Sequence, residues 1–218
     1  IKDKARRVAV GMNYSLDRNV GRIRTARRKR GLEDNTLVFF LSDNGGKPEG
    51  NGSLNTPLRG LKGQLWDGGI RVPFCMQWPA RVKGGQKLDS PVISMDILST
   101  VVDAAGGKVE DGVDGVSLVP LVTGAVAFAP DRYLYWRFNR SWAVRDAEWK
   151  LIGERGAKRP QLFHIAEDIQ ESKDLYETRP KVAARLQKAY DEWDATLMPK
   201  QWGWDKSFPV HDPEMGGH

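Results

Sequence analysis

The stretch Leu37-Val38-Phe39-Phe40-Leu41-Ser42-Asp43-Asn44-Gly45-Gly46 decides how the chain is read. Its first five residues are an apolar run with the length and composition of a strand buried on both faces, and the run breaks at once into polar residues and glycine. A carboxylate and an amide oxygen therefore sit side by side where a buried strand ends. In open α/β sheets, ligands gather in the crevice beyond the carboxyl ends of the strands. Downstream, a loop rich in Gly and Asn leads into Pro57-Leu58-Arg59-Gly60-Leu61-Lys62-Gly63 and then Trp66-Asp67-Gly68-Gly69-Ile70-Arg71-Val72-Pro73. Residues 46–63 show no apolar periodicity, and a loop of that length in a compact domain is usually functional or mobile.

Outward from this stretch the periodicities set the remaining elements. Residues 4–30 carry Val8, Met12, Leu16, Val20 and Ile23 at steps of three and four, which predicts a helix stopped at Gly31. Residues 70–78, with Val72, Phe74 and Met76 on alternate positions and Pro79 as a stop, predict a second strand that contains Cys75. Residues 91–105 read as a helix with Ile93, Ile97, Leu98, Val101 and Val102 on one face, followed by a turn-rich link over 111–124. Residues 133–138, 142–145 and 148–152 are short, aromatic, β-prone segments expected to form an antiparallel meander, to which 161–165 can add a strand. A last helix over 182–198 has Leu186, Ala189, Tyr190, Trp193 and Leu197 as its buried stripe. The expected fold is α/β: a helix and parallel-type strands first, then a small antiparallel sheet with a covering C-terminal helix. The seam falls near 125–132, giving segments 1–125 and 126–198 and an extended tail over 199–218.

The chain has 218 residues and a formal charge of +6. Residues 1–30 hold eleven Lys or Arg against two acids, whereas the rest holds 23 against 26, so the positive excess is local. Arg22, Arg24, Arg27, Arg28, Lys29 and Arg30 read either as an anionic-polymer patch or as a solvated helix end whose cations complement the helix dipole. No aromatic residues interleave them, which speaks against nucleic acid. One cysteine excludes an intrachain disulfide and a cysteine-built zinc site. No apolar run reaches the ~20 residues of a membrane span. The chain opens on Ile1 without a signal-peptide pattern, which reads as an interior start: a processed product or a piece of a longer protein.

Asp43 and Asn44 offer hard oxygen ligands suited to Ca²⁺ or Mg²⁺, although two donors fall short of the six to eight oxygens that Ca²⁺ takes. The plainer reading is an Asp-Asn-Gly turn whose side chains bond local backbone. Lys62, between Gly60 and Gly63, adds an ammonium on a loop that can come close to an oxyanion. Arg59 and Arg71 could supply further positive charge, although Arg71 can instead pair with Asp67. A hard cation beside a lysine is a plausible clamp for a sulfate or phosphate ester.

The runs Ser42-Asp43-Asn44-Gly45, Asn55-Thr56-Pro57-Leu58-Arg59-Gly60-Leu61-Lys62-Gly63 and Trp66-Asp67-Gly68-Gly69-Ile70-Arg71-Val72-Pro73 resemble the C-terminal half of the type I sulfatases, the arylsulfatase-like family of the alkaline phosphatase superfamily. The likeness extends to Ser94-Met95-Asp96-Ile97-Leu98, Asp114-Gly115-Val116-Ser117-Leu118 and Trp149-Lys150-Leu151-Ile152, and covers nearly the whole chain to about residue 198. The resemblance implies the back half of an alkaline-phosphatase-like α/β sandwich, with Asp43 and Asn44 as two ligands of an active-site Ca²⁺ (Mg²⁺ possible) and Lys62 as a sulfate contact. It implies a sulfated small molecule or carbohydrate as partner, no nucleic acid or membrane, and a secreted, periplasmic or lysosomal setting. The family uses a formylglycine made from the Cys or Ser of a Cys/Ser-x-Pro/Ala-x-Arg motif. Neither that motif nor the family's paired Asp ligands occurs here, and His164, His211 and His218 all lie far downstream of the metal strand. The expectation is thus a sulfatase portion without its nucleophile and inactive alone. The alternatives are a phosphate or phosphonate ester hydrolase of the same superfamily, or a non-catalytic anion-binding module.

Overall fold

Lys4–Lys29 forms α1, begun by Asp3, whose side chain accepts the Arg6 N–H at 2.6 Å, and ended by a turn rich in cations. The computed structural model describes residues 1–127 and 131–198. The expected tail over 199–218, with His211 and His218, and the middle of the expected seam lie outside the described residues. Arg6 Nη1 donates to Gly52 O at 2.6 Å and Arg27 Nη2 to Gln77 Oε1 at 3.3 Å, which ties both ends of α1 to segments downstream in the chain. Its apolar positions Val8, Met12, Leu16 and Ile23 are exposed.

Val38–Leu41 (β1) and Phe74–Gln77 (β2) pair antiparallel, with Val38 opposite Gln77 and Leu41 opposite Phe74. This corrects the expectation of parallel strands. A parallel pair needs a covering crossover, usually a helix, and here the chain returns through a loop holding only the single turns α2 (Pro48–Asn51) and α3 (Asp67–Ile70). Nor is β1 buried on both faces, since Phe40 is exposed. The second strand starts at Phe74, not Ile70, because residues 67–70 coil into α3 and Arg71 only follows that turn in extended conformation.

Asp96–Ala104 (α4) is shorter than expected and buries the opposite face. Asp96, Ser99 and Thr100 are fully buried, while Leu98 and Val101 are 58% and 45% exposed. Hydrogen bonding explains the inversion. Asp96 receives Arg132 Nη1 and Nη2 at 2.8 and 2.5 Å, together with the N–H groups of Ile93 and Val116. Ser99 donates to Gly115 O, and Thr100 accepts from Leu118 N. The link then forms α5 (Val119–Val122).

Leu134–Phe138 (β3), Ser141–Arg145 (β4), Trp149–Gly153 (β5) and Gln161–His164 (β6) form the expected meander in the order β3-β4-β5-β6, all antiparallel. Period-two alternation divides its side chains between two cores. Val144, Leu151 and Leu162 pack on Ala183, Leu186 and Tyr190 of α6 (Pro180–Asp194), which stops four residues before the expected end. On the other face Ala143, Ile152 and Phe163 pack on Leu65 and Trp66, so the sheet seats directly on the loop that carries Lys62.

The turn after β6 is held by two carboxylates. Asp168 accepts from Ser172 N, Ser172 Oγ and Lys173 N; Asp174 accepts from Leu162 N and Tyr176 N and pairs with Arg159 at 2.8 Å. Burial pushes both carboxyls up, but these hydrogen bonds outweigh it and hold them below the ordinary Asp value of 3.8. A depressed folded pKa gives stability that is complete above the unfolded value and lost as pH falls through the folded one. Asp168→Asn and Asp174→Asn should therefore lie below the parent in urea midpoint at pH 6, with the gap closing towards pH 2. A gap constant across that range would refute the assignment.

Candidate active site

The chain leaves β1 through Ser42, whose hydroxyl donates to Asn44 O at 2.9 Å and whose N–H donates to Pro73 O at 3.2 Å. That turn sets Asp43 and Asn44 side by side, with Asn44 Nδ2 donating to Asp43 Oδ1 at 2.9 Å. The remaining carboxylate oxygen and the amide oxygen are hard donors, and this donor set fits part of a Ca²⁺ or Mg²⁺ shell. Among the described residues no group of three or more His, Cys, Asp or Glu is placed to hold a metal ion.

Three backbone segments cross beyond the turn. Gly45 N donates to Gly69 O at 2.9 Å, Lys62 N to Gly46 O at 3.1 Å, and Gly68 N to Arg59 O at 2.6 Å. Asn55 fastens the crossing: its Oδ1 accepts from Gly46 N, and its Nδ2 donates to Gly46 O and Gly60 O. The approach is so close that a Cβ on Gly45 would lie 1.7 Å from Gly68 O. Lys62 stands between Gly60 and Gly63, both left-handed at φ 86° and 87°, which glycine adopts without strain. Asp43, Asn44 and Lys62 thereby line one cavity of about 1260 Å³, whose wall also carries Arg71, Trp136 and Arg145.

Beneath the crossing lies an ionic cluster. Lys150, 0% exposed, places Nζ 2.7 Å from Asp67 Oδ1 and 2.7 Å from Glu171 Oε1. Glu171 Oε2 accepts the Asp67 N–H at 2.7 Å, and Arg59 donates to Glu171 O at 2.9 Å while its guanidinium lies 3.6 Å over the Trp66 ring. Burial pushes the Glu171 carboxyl above its ordinary range, with Lys150 pulling the other way. The expected Arg71–Asp67 pair exists at 3.7 Å, but Lys150 is the closer partner of Asp67. Sequence reasoning missed Lys150, Glu171 and the clamping role of Asn55. The one available signal was a lysine at an inward position of an apolar strand. His164 is structural: its ring lies 4.4 Å from Trp149 and its Nδ1 is 3.2 Å from Glu167.

Fold and site together define an α/β chain of the alkaline-phosphatase type. The sulfatase family model matches residues 2–107, and the model described as N-sulphoglucosamine sulphohydrolase, C-terminal, matches residues 62–195. The chain belongs to the sulfatase family and corresponds to its C-terminal portion. It is 28% identical to human steryl-sulfatase, over 87% of this chain and 41% of that protein, and 36% identical to human arylsulfatase D over 55% and 22%. The crystal structure of Ps i-CgsB in complex with k-i-k-neocarrahexaose superposes with a TM-score of 0.84 at 31% identity, over 94% of this chain and 47% of that one. The chain thus spans less than half the length of these relatives.

Proposed function

We propose that this chain supplies part of an active site that hydrolyses sulfate monoesters, on a sulfated carbohydrate. One observation carries the reading: backbone hydrogen bonds among Gly45, Gly46, Lys62 and Gly69 gather a hard-oxygen pair and a lysine at one cavity. Family membership and the likeness to a protein solved with a neocarrahexaose support sulfate esters and a carbohydrate.

Asp43 and Asn44 would hold a divalent cation, Ca²⁺ or Mg²⁺, which when bound supplies Lewis-acid stabilisation of the ester oxygens. Lys62 donates from its ammonium to a non-bridging sulfate oxygen, and its charge offsets what develops there as the ester bond breaks. The left-handed glycines on either side fix where that ammonium emerges. Asn55 holds the turn and the lysine loop in register, so the oxygen pair and the ammonium address the same group. The nucleophile, expected as a formylglycine, and the remaining metal ligands would come from residues outside this chain. The family resemblance carries with it a secreted, periplasmic or lysosomal setting.

The test uses a chromogenic aryl sulfate with Ca²⁺ or after chelation. The protein at natural length should turn over only with the cation, and Lys62→Ala should lower kcat/KM about a hundredfold. The purified 218-residue chain should be inactive. Cation-dependent turnover by that chain alone would sink the claim that the nucleophile lies elsewhere. Indifference of the natural-length protein to Lys62→Ala would sink the role of the lysine.

A further inference from the structure

We propose that Arg145 and Arg71 form a second anion subsite in the cavity wall, which takes a sulfate or carboxylate on the sugar next to the ester under attack. Trp136 serves as the platform for that sugar ring. The inference rests on the sulfate-ester reading for its first subsite only.

The placement follows from sheet register. Arg145 on β4 stands directly opposite Lys150 on β5, and two cations facing each other across neighbouring strands are destabilising unless compensated. Asp67 and Glu171 compensate Lys150, at 2.7 Å each. Arg145 forms no ion pair among the described residues. Its Nε donates to Asp146 O at 3.0 Å and its Nη2 to Ala147 O at 3.3 Å, which orients the guanidinium and leaves Nη1 unspent. Such a guanidinium is suited to a planar or tetrahedral oxyanion.

Arg71 is only loosely paired. It lies 3.7 Å from Asp67 Oδ2, beyond hydrogen-bond length, and its side chain is half exposed. Three cations, Lys150, Arg71 and Arg145, thus meet two carboxylates, Asp67 and Glu171, and the one excess positive charge is shared by the two arginines that line the cavity, since Lys150 holds the short contacts. Burial pushes the Arg145 guanidinium below its ordinary pKa, which an anionic ligand would reverse. Trp136 pairs in register with Ala143, two residues from Arg145 on the same sheet face, and lines the same cavity. Lys62, Arg71, Trp136 and Arg145 line one cavity, which places the second subsite beside the first.

The experiment measures binding and turnover on the natural-length protein with three disaccharides that share one sulfate ester. Their neighbouring sugar carries a second sulfate, a carboxylate, or no charge. Calorimetric affinity for the doubly anionic ligands should exceed that for the neutral-neighbour ligand about tenfold or more, and Arg145→Gln should bring this ratio towards one. The better of the two anionic ligands identifies which oxyanion the subsite takes. Arg71→Gln, at an exposed position, should reduce the same ratio and guards against misfolding of the Arg145 variant. A wild-type ratio near one, or a ratio unchanged in both variants, overturns the proposal. Selective binding without turnover would instead count against the hydrolase reading while leaving the subsite standing.

Discussion

Lys150→Met is expected to destabilise the protein by about 3–5 kcal/mol, because it removes the cation placed between two buried carboxylates. Asp67 and Glu171 would then face each other, joined through the Asp67 N–H, with no ammonium to offset the cost of their burial. The variant should respond to pH with a definite sign. The Glu171 carboxyl already lies above its ordinary 4.5, and loss of Lys150 removes the main influence holding it down. A folded pKa above the unfolded one means that the folded state takes up the proton more readily, so Lys150→Met should recover stability as pH falls from 7 towards 5. The triple variant Lys150→Met, Asp67→Asn, Glu171→Gln should regain most of the loss, since replacing a whole buried ionic group is often close to neutral. Urea unfolding at pH 7 and pH 5 measures all three. A single variant within 1 kcal/mol of the parent at pH 7 would show that the cluster does not hold the sheet to the site loop.

Much of the fold and the first candidates for the site were legible in the sequence, and what was not has a common cause. The meander and α6 follow from alternation and helical spacing because their apolar faces meet each other, which is the situation periodicity detects. Asp43, Asn44 and Lys62 were singled out as candidates by residue type, flanking glycine and the family resemblance together, and the structure gathers the three at one cavity. The helix at Asp96–Ala104 was misread because its buried face is polar: the Asp96–Arg132 pair spans 36 positions and inverts the apolar pattern. The cluster under the site spans 83 positions from Asp67 to Lys150 and 104 from Asp67 to Glu171. Neither carboxylate has a local pattern that announces burial; only Lys150, between Trp149 and Leu151, carried a hint. The antiparallel pairing of β1 and β2 was missed for a related reason, since the return between them is made by loop hydrogen bonds to glycine rather than by a periodic element.

Those glycines bear the other large effect. Gly45→Ala should cost the natural-length protein roughly a thousandfold in kcat/KM, together with a measurable fall in stability. Its Cβ would lie 1.7 Å from Gly68 O, 2.7 Å from Gly68 C and 2.9 Å from Gly69 Cα, all backbone atoms with no rotamer to escape into. The turn must therefore move away from Gly69, breaking the Gly45 N–H bond to Gly69 O, and it carries Asp43 and Asn44 with it. Gly68 and Gly69 have little room to follow, because a Cβ on Gly68 would lie 2.5 Å from the carbonyl oxygens of Arg59 and Gly60, and one on Gly69 would lie 2.1 and 2.6 Å from those of Gln64 and Leu61. The oxygen pair and Lys62 thus lose their common register, and a misplacement near 1 Å can alone cost about a hundredfold, to which the weakened lysine contact adds. Gly63→Ala is the matching control at the same loop. A Cβ there meets nothing within 4 Å, so only the strain of its φ of 87° is at stake and a smaller loss is expected. Equal losses in the two variants would mean that the close backbone crossing is incidental. A Gly45→Ala loss confined to stability, with kcat/KM intact in the folded fraction, would mean that the crossing does not set the register between the Asp43-Asn44 turn and Lys62.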